Sequence, residues 1–341
     1  MVFSTIASKS STSSKVLSAL KKKDSCTQFI AEAGSQIYKV CQAPSCTSCV
    51  AIKVPKNKHV DVGESIVHEN ITHSLDGTSA EPHFNKFIKL IPGPRPILVQ
   101  EYEENVQGYK TIAQLLQSQN VTSKLWKIFN FQILKALYTA QLTIPGFQHN
   151  DTHTENILVV KNETNHVCSV ISPLGKQLVN YCDVLIKIID FGQTMATSPN
   201  FCSPEGETWR ELGLLGNKMI DFHRFVVWAI MDISFHEGKT NYVPVWYKEW
   251  IEFVTRWIDI RLLPDFTNST IKEKIEYISI KQVPGGDVPF IPTLKGSDLL
   301  NRLYGPQSVR GLGNMLDDPY FNEFVSEITY FEDNTKLKSK R

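Results

Sequence analysis

The sequence predicts an α+β protein made of a β-rich first part and a mainly helical second part around one cleft. Three observations carry this expectation. Between residues 27 and 54 three short β-type runs follow one another, with a fourth at 96–102. From residue 123 the pattern changes to long helical stripes such as TSKLWKIFNFQILKALYTAQL. Between the two kinds of pattern and the C-terminal half lie polar, motif-rich segments: HNDTHTEN at 149–156, and Asp190-Phe191-Gly192 behind the apolar run VLIKIID. A chain of 341 residues with 42% hydrophobic content can fill one large or two ordinary domains.

Residues 1–26 are rich in Ser, Thr and Lys and carry no acid before Asp24, so they are expected to be a flexible tail. The domain proper is expected over 27–331, its first part about 27–101 and its second about 105–331, with a basic tail at 332–341. Phe29, Ile30 and Ala31 lead into a small-residue turn through Ala33, Gly34 and Ser35, and Ile37 continues on the return strand. Small residues there allow a backbone to approach a phosphate, although hairpins with a glycine are common. The third strand ends Val50-Ala51-Ile52-Lys53, and strand alternation puts the Lys53 ammonium on the face of Ala51.

GESIVHENITHSL, residues 63–75, can wind as a helix that returns a carboxylate to Lys53. Glu69 is preferred over Glu64 because Ile66 and Ile71 place it toward the packed face. PILVQEY at 96–102 is a strand running into acidic, looping sequence, where Gln100, Glu101, Tyr102 and Glu103 form a connector with exposed backbone groups. In the next long helix Leu125, Ile128, Phe129, Gln132, Ile133, Ala136 and Leu137 step along one face as core. Pro145-Gly146 then delivers the chain to His149.

Asp151 supplies a carboxylate able to accept a hydroxyl proton, Asn156 an amide oxygen five residues on, and Asp190 a second carboxylate. These are the parts that metal-assisted phosphoryl transfer needs, because a loose transition state demands positioning and charge neutralisation more than covalent help. Taken singly, each has an ordinary structural use: an Asp caps a turn, an Asn caps a helix, and Asp-Phe-Gly makes a turn. Their ordered occurrence argues for chemistry.

Over roughly residues 29–321 the chain resembles the eukaryotic-type protein kinase superfamily. The resemblance implies a bilobal kinase-like fold and a serine/threonine protein kinase that uses ATP and magnesium. It assigns Asp151 as the base, Asn156 and Asp190 as magnesium ligands, and Lys53 as the phosphate-holding lysine with Glu69 as its partner. It also implies that Ile37, Ala51 and Leu158 sandwich adenine. Residues 101–103 would be the hinge, and Gln100 would guard the pocket behind it. Ile30, Ala31, Ala33, Gly34 and Ser35 would line the phosphates. Asp221 would steady the catalytic loop, Ser203-Pro204-Glu205 would end the activation segment, and Arg310 would pair with Glu205.

The departures from the pattern matter as well. Only Gly34 remains of the usual glycines in the phosphate loop. Asn150 stands where an arginine commonly meets a phosphorylated activation loop, and the segment 190–205 is short. Both predict activity that does not depend on phosphorylation of Thr194, Thr197 or Ser198. His153 takes the place of the usual catalytic-loop lysine, an arrangement similar to that of atypical and small-molecule kinases, and its imidazole can still hydrogen-bond a γ-phosphate. A small-molecule kinase and a pseudokinase that acts by binding are therefore the alternatives. Divergence with every such group retained is similar to kinases encoded by large DNA viruses. Residues 159–186 are longer than a short hairpin and are expected to form an extended hairpin or surface insertion.

Seven cysteines, an odd number without an apolar leader, predict reduced thiols in an intracellular protein, cytoplasmic with the nucleus also open to it. Cys41, Cys46 and Cys49 have zinc-like spacing but lack a fourth ligand, so a loop without metal is expected. Trp246, Trp250, Phe253 and Trp257 have helical spacing and are expected to pack inward. A net charge of +1 argues for no nucleic-acid partner, and no apolar run reaches the roughly 18 to 20 residues of a membrane span. Protein substrates are implied by the resemblance alone; residues 261–311, with the turn Val283-Pro284-Gly285-Gly286, assign none.

Overall fold

The computed structural model describes residues 2–8, 12–21, 26–32, 35–43, 45–55, 62–103, 111–118, 121–162, 166–181, 183–211, 215–240, 244–258, 302–305, 308 and 310–326. Among these the chain is mixed α and β. Five antiparallel strands form one sheet: β1 (Thr27–Glu32), β2 (Ser35–Gln42), β3 (Thr47–Pro55), β4 (Phe87–Ile91) and β5 (Ile97–Glu101), in the order β1-β2-β3-β5-β4. Ala33 and Gly34 of the small-residue turn lie outside the described residues, as do the turn at 283–286 and the C-terminal tail.

Strand alternation divides the sheet into two faces. Val40, Ile52, Val54, Ile97 and Val99 form one apolar core with Val2, Ile6, Val16, Ala19 and Leu20. Those last five belong to helices α1 (Val2–Ala7) and α2 (Ser13–Leu20), so the segment expected as a flexible tail instead covers the sheet. Val16, Ala19 and Leu20 are spaced i, i+3, i+4, a stripe that the Ser/Lys-rich composition conceals. Ser13 N donates to Pro92 O at 2.9 Å. Gly93 is left-handed at φ +150°, and a Cβ there would meet Ser13 Oγ at 2.0 Å, so only glycine fits beneath α2.

The other face carries the paired positions Ile37↔Lys53, Ala51↔Gln100 and Lys53↔Leu98. Against this side lies α3 (Val62–Leu75). Its buried residues are Ser65, Val67, His68, Ile71 and Leu75, whereas Ile66 is 49% exposed. At about 100° per residue, positions 64, 68, 71 and 75 share a stripe and Glu69 sits about 140° away. The expected face was thus the wrong one, because Ile66 points to solvent.

The second core gathers α4 (Ile112–Gln117), α5 (Ser123–Thr143), α7 (Ile220–Thr240), α8 (Tyr247–Trp257) and the short α9 (Leu312–Met315). On α5 the expected stripe is buried, with Leu125 partly so. Gln132 is satisfied inside it: its amide donates to Val184 O at 3.1 Å and accepts from Ile186 N at 2.9 Å. Trp246 stacks on Trp126 at 4.6 Å, Trp250 Nε1 donates to Asn130 Oδ1 at 2.9 Å, and Phe253 stacks on Tyr320 at 4.4 Å. The aromatic stripe is core, as its spacing predicts.

Strands β6 (Ile157–Lys161) and β9 (Val184–Ile188) pair as a hairpin from which a second hairpin, β7 (Val167–Ile171) with β8 (Gln177–Tyr181), projects. This is the insertion expected from the length of the segment. It is braced by Asp317, which accepts from Ser172 Oγ and Leu174 N and whose main-chain oxygen accepts from Lys176 Nζ at 3.0 Å. No helix among the described residues is long and apolar enough to cross a membrane.

The cysteine expectation requires correction. Cys26 is joined to Cys46 and Cys41 to Cys49 as disulfides, while Cys168 and Cys202 are not disulfide-bonded. Strand register accounts for the second of these, since Cys41 and Cys49 are direct cross-strand partners.

Candidate functional site

Lys53 anchors the site from the middle of the sheet. Its ammonium lies 2.8 Å from Glu64 Oε1 and 3.2 Å from Asp190 Oδ1. Burial alone would lower its pKa, but Asp190 and Glu64 outweigh that and hold it above the ordinary lysine value. Glu64, not Glu69, is therefore the helix partner. Glu64 is 12% exposed, whereas Glu69 is 50% exposed and its nearest ion partner is His73 at 4.0 Å.

The β6–β9 register accounts for the next pair. Ile157 opposes Ile188, and Ile189 N donates to Asn156 O at 3.0 Å, so Asn156 and Asp190 emerge side by side from the hairpin. Asp190 adopts a left-handed φ of +66°, which turns its carboxylate to Lys53. Its surroundings oppose ionisation, yet the Lys53 ammonium and its hydrogen bond hold the Asp190 pKa below the usual value.

Asp151 stands across from this pair. Asn156 Nδ2 donates to Asp151 Oδ2 and to its main-chain oxygen, both at 3.0 Å. Both contacts use the amide nitrogen, so neither occupies the Asn156 side-chain oxygen. Arg224 NH1 lies 3.8 Å from Asp151 Oδ1 and His153 Nε2 lies 3.6 Å from Asp151 Oδ2. Burial pushes the Asp151 pKa up to about 6, Arg224 opposing and Asp190 adding. Burial likewise lowers the pKa of His153, whose ring lies 5.5 Å from that of Trp228.

The loop bearing Asp151 is fixed by Asp221 at the start of α7. The buried Asp221 carboxylate accepts from His149 N at 2.9 Å and Asn150 N at 2.7 Å, as expected of it. Asn150 is left-handed at φ +61°, a conformation Asn tolerates, and its amide donates to Gln193 O at 3.0 Å. In His149, Nδ1 accepts from Asp151 N at 3.3 Å while Nε2 bonds Ile189 O at 3.1 Å, the pattern of a neutral ring. Burial holds its pKa down at about 3. Phe191 sits between His149, at 5.3 Å, and His68 of α3, at 4.4 Å.

Residues 192–206 are held by main chain. Gln148 and Met195 exchange backbone bonds of 2.9 Å, and Ser203 N donates to Thr194 O at 2.9 Å. Ser203 Oγ donates to Gly192 O at 2.6 Å and accepts from Gly206 N at 2.9 Å. A Cβ at Gly206 would meet Thr194 O at 2.2 Å, so the crossing requires glycine there. Helix α6 (Pro204–Glu211) begins at once. Thr194 is buried, whereas Thr197 and Ser198 are exposed.

Of the other residues singled out in the sequence, Ala51 is buried; Ile37, Gln100, Glu101, Tyr102, Glu103 and Leu158 are half-buried. Ile30 is half-buried on β1, Ala31 is exposed there, and Ser35 opens β2. Arg310 is exposed, its N–H donating to Ser308 Oγ at 3.0 Å. Sequence reasoning passed over Arg224, Lys187 and His68. Lys187, opposite Leu158 on β9, forms ion pairs with both Glu101 and Glu103, tying the connector to the β6–β9 hairpin. Its signal was a lysine inside an apolar strand; for Arg224 it was a helical position three after Asp221.

His83, His166 and Cys168 also converge, their ligand atoms within 4.8 Å of one another. Lys135 Nζ lies 3.2 Å from His83 Nε2 and takes its lone pair, since His83 Nδ1 bonds Ile186 O at 3.2 Å. The cluster docks the inserted hairpin, and a cation there would compete with an amine. Neither a family model nor a curated protein matches this chain.

Proposed function

We propose that this protein is a bilobal protein kinase that transfers the γ-phosphoryl group of ATP, with magnesium, to serine or threonine hydroxyls of proteins. The observation that carries the reading is the meeting of Lys53, Glu64, Asp190, Asn156 and Asp151 at one place, drawn from the sheet, α3, the β6–β9 hairpin and the loop before it. The order of the strands and helices supports the bilobal reading.

The donor set suits magnesium: the Asp190 carboxylate and the Asn156 amide oxygen are hard oxygen ligands, and no soft ligand lies among them. Bound there, magnesium would neutralise charge on the phosphates. Lys53, kept protonated by Glu64, would bind phosphate oxygens. Asp151 would orient the acceptor hydroxyl and take its proton, while Asn156 and Arg224 keep that carboxylate in place. Asp221 and the neutral His149 hold the loop in register. Ala51, Ile37 and Leu158 offer apolar surface for adenine, with residues 101–103 as the hinge.

The test is phosphate transfer from labelled Mg-ATP to generic protein acceptors and to the protein itself, comparing the wild type with Asp151→Asn and Asp190→Asn. Phosphoserine or phosphothreonine made by the wild type alone is the expected result. ATP binding without transfer to protein would favour a pseudokinase or, given His153 beside Asp151, a small-molecule acceptor.

A further inference from the structure

We propose that Cys26, Cys41, Cys46 and Cys49, when reduced, form a tetrahedral four-thiolate zinc site at the end of the β2–β3 hairpin. The sequence offered three thiols and no fourth, and the strand register supplies it. Thr27 opposes Val40, and Cys41 N donates to Cys26 O at 2.9 Å, so Cys26 is the neighbour of Cys41 on the adjoining strand. Cys41 in turn opposes Cys49 on β3. Directly opposed residues point to the same side of a sheet, which puts three sulfurs in one row across three strands.

Cys46 completes the set from the turn. Its φ of +52° and that of Ser48 at +50° curl the chain, and the Cα atoms of Cys26 and Cys46 are 5.2 Å apart, those of Cys41 and Cys49 4.0 Å. Cys49 Sγ also reaches Cys46 O at 3.6 Å. A zinc ion bonds each sulfur at about 2.3 Å, so its four ligands must come from a patch this compact. Cys26 and Cys41 are each 5% exposed and Cys46 is exposed, which gives a shielded inner side and an open path for the metal.

The two disulfides are the oxidised form of the same cluster. Each is opened by a dithiol reductant that delivers two electrons and two protons and leaves as its own disulfide. Zinc then displaces the four thiol protons and binds the thiolates. Cys49 lies four residues before Lys53, roughly 13 Å along the strand, so the metal would staple the hairpin and take no part in chemistry at Lys53. The proposal is independent of the kinase reading, and its readout is metal content.

The experiment uses the full chain purified under a phosphine reductant with zinc, followed by gel filtration, metal analysis and cobalt(II) substitution. One zinc per chain and intense cobalt–thiolate absorption are expected, both lost in Cys46→Ser and kept in Cys202→Ser and His83→Ala. Alkylation mapping of the wild type provides a check that needs no variant. Cys26, Cys41, Cys46 and Cys49 should be protected until a chelator is added. Reduced wild type that keeps no zinc and alkylates at once at all four would overturn the site. So would zinc that survives Cys46→Ser or disappears with His83→Ala.

Discussion

Asp151 is held between an arginine, an amide and an imidazole, and this setting makes its ionisation measurable. A carboxylate accepts a proton only when ionised, so the proposed phosphoryl transfer should fall about tenfold per pH unit below about 6, the value to which burial raises Asp151. An unperturbed aspartate would place that limb near 4. Arg224 lowers the Asp151 pKa, so Arg224→Met should move the acid limb to higher pH; a pH–rate profile unchanged by the substitution would refute the coupling. Glu64→Gln should slow transfer about 10- to 100-fold through the loosened lysine, and Glu69→Gln should leave it within about twofold. Steady-state rates of the two variants decide which glutamate serves Lys53. At this scale the sequence was legible for Lys53, Asp151, Asn156, Asp190 and Asp221, whose neighbours in the chain identify them. It was not legible for Glu64, because choosing between two glutamates on one helix depends on which apolar side chains are buried, and Ile66 is not. Arg224 and Lys187 gain their meaning only from partners 73 and 84 to 86 positions away, and no local pattern records those.

Among the elements, α3, the turn at Phe191 and the loop at His149 are connected by ring contacts of His68, Phe191 and His149. His68 Nε2 bonds Asn85 O at 2.7 Å, and burial lowers its pKa to about 4. Both buried imidazoles are neutral in the fold, whereas an unfolded histidine titrates near 6.5. Between about pH 4 and 6.5 these two histidines therefore bind more protons in the unfolded chain, and the stability they contribute should rise with pH through that window and be lost as pH falls. Replacing His68 with Leu should make this dependence shallower in denaturant titrations at several pH values; an identical slope would argue against a buried neutral His68. The core helices were readable because their apolar stripes are long and regular. α1 and α2 were not, since helices this short gain stability only from the sheet they cover.

For the whole molecule, the inserted β7–β8 hairpin and the chain near α9 support one another through Asp317. Asp317→Ala should cost about 1–3 kcal/mol, seen as a lower Tm, because it removes the acceptor of the buried Ser172 Oγ. An unchanged Tm would show that the hairpin stands without this brace. That an insertion lies at 159–186 could be read from chain length; what it docks on could not, since Lys135, His83 and Asp317 are remote in sequence. The division into sheet and helices was legible, and the disulfide pairing was not, because it depends on strand register at Cys41 and Cys49 and on the turn at Cys46. Residues 192–206 are held in place by their own contacts. Phosphate groups usually order such a stretch by adding contacts, but here Ser203, Gly206 and the Gln148–Met195 ladder already supply them, and Thr194 is out of reach inside. On the proposed reading, a phosphate added to the exposed Thr197 or Ser198 would find the segment already in place and would change the rate little.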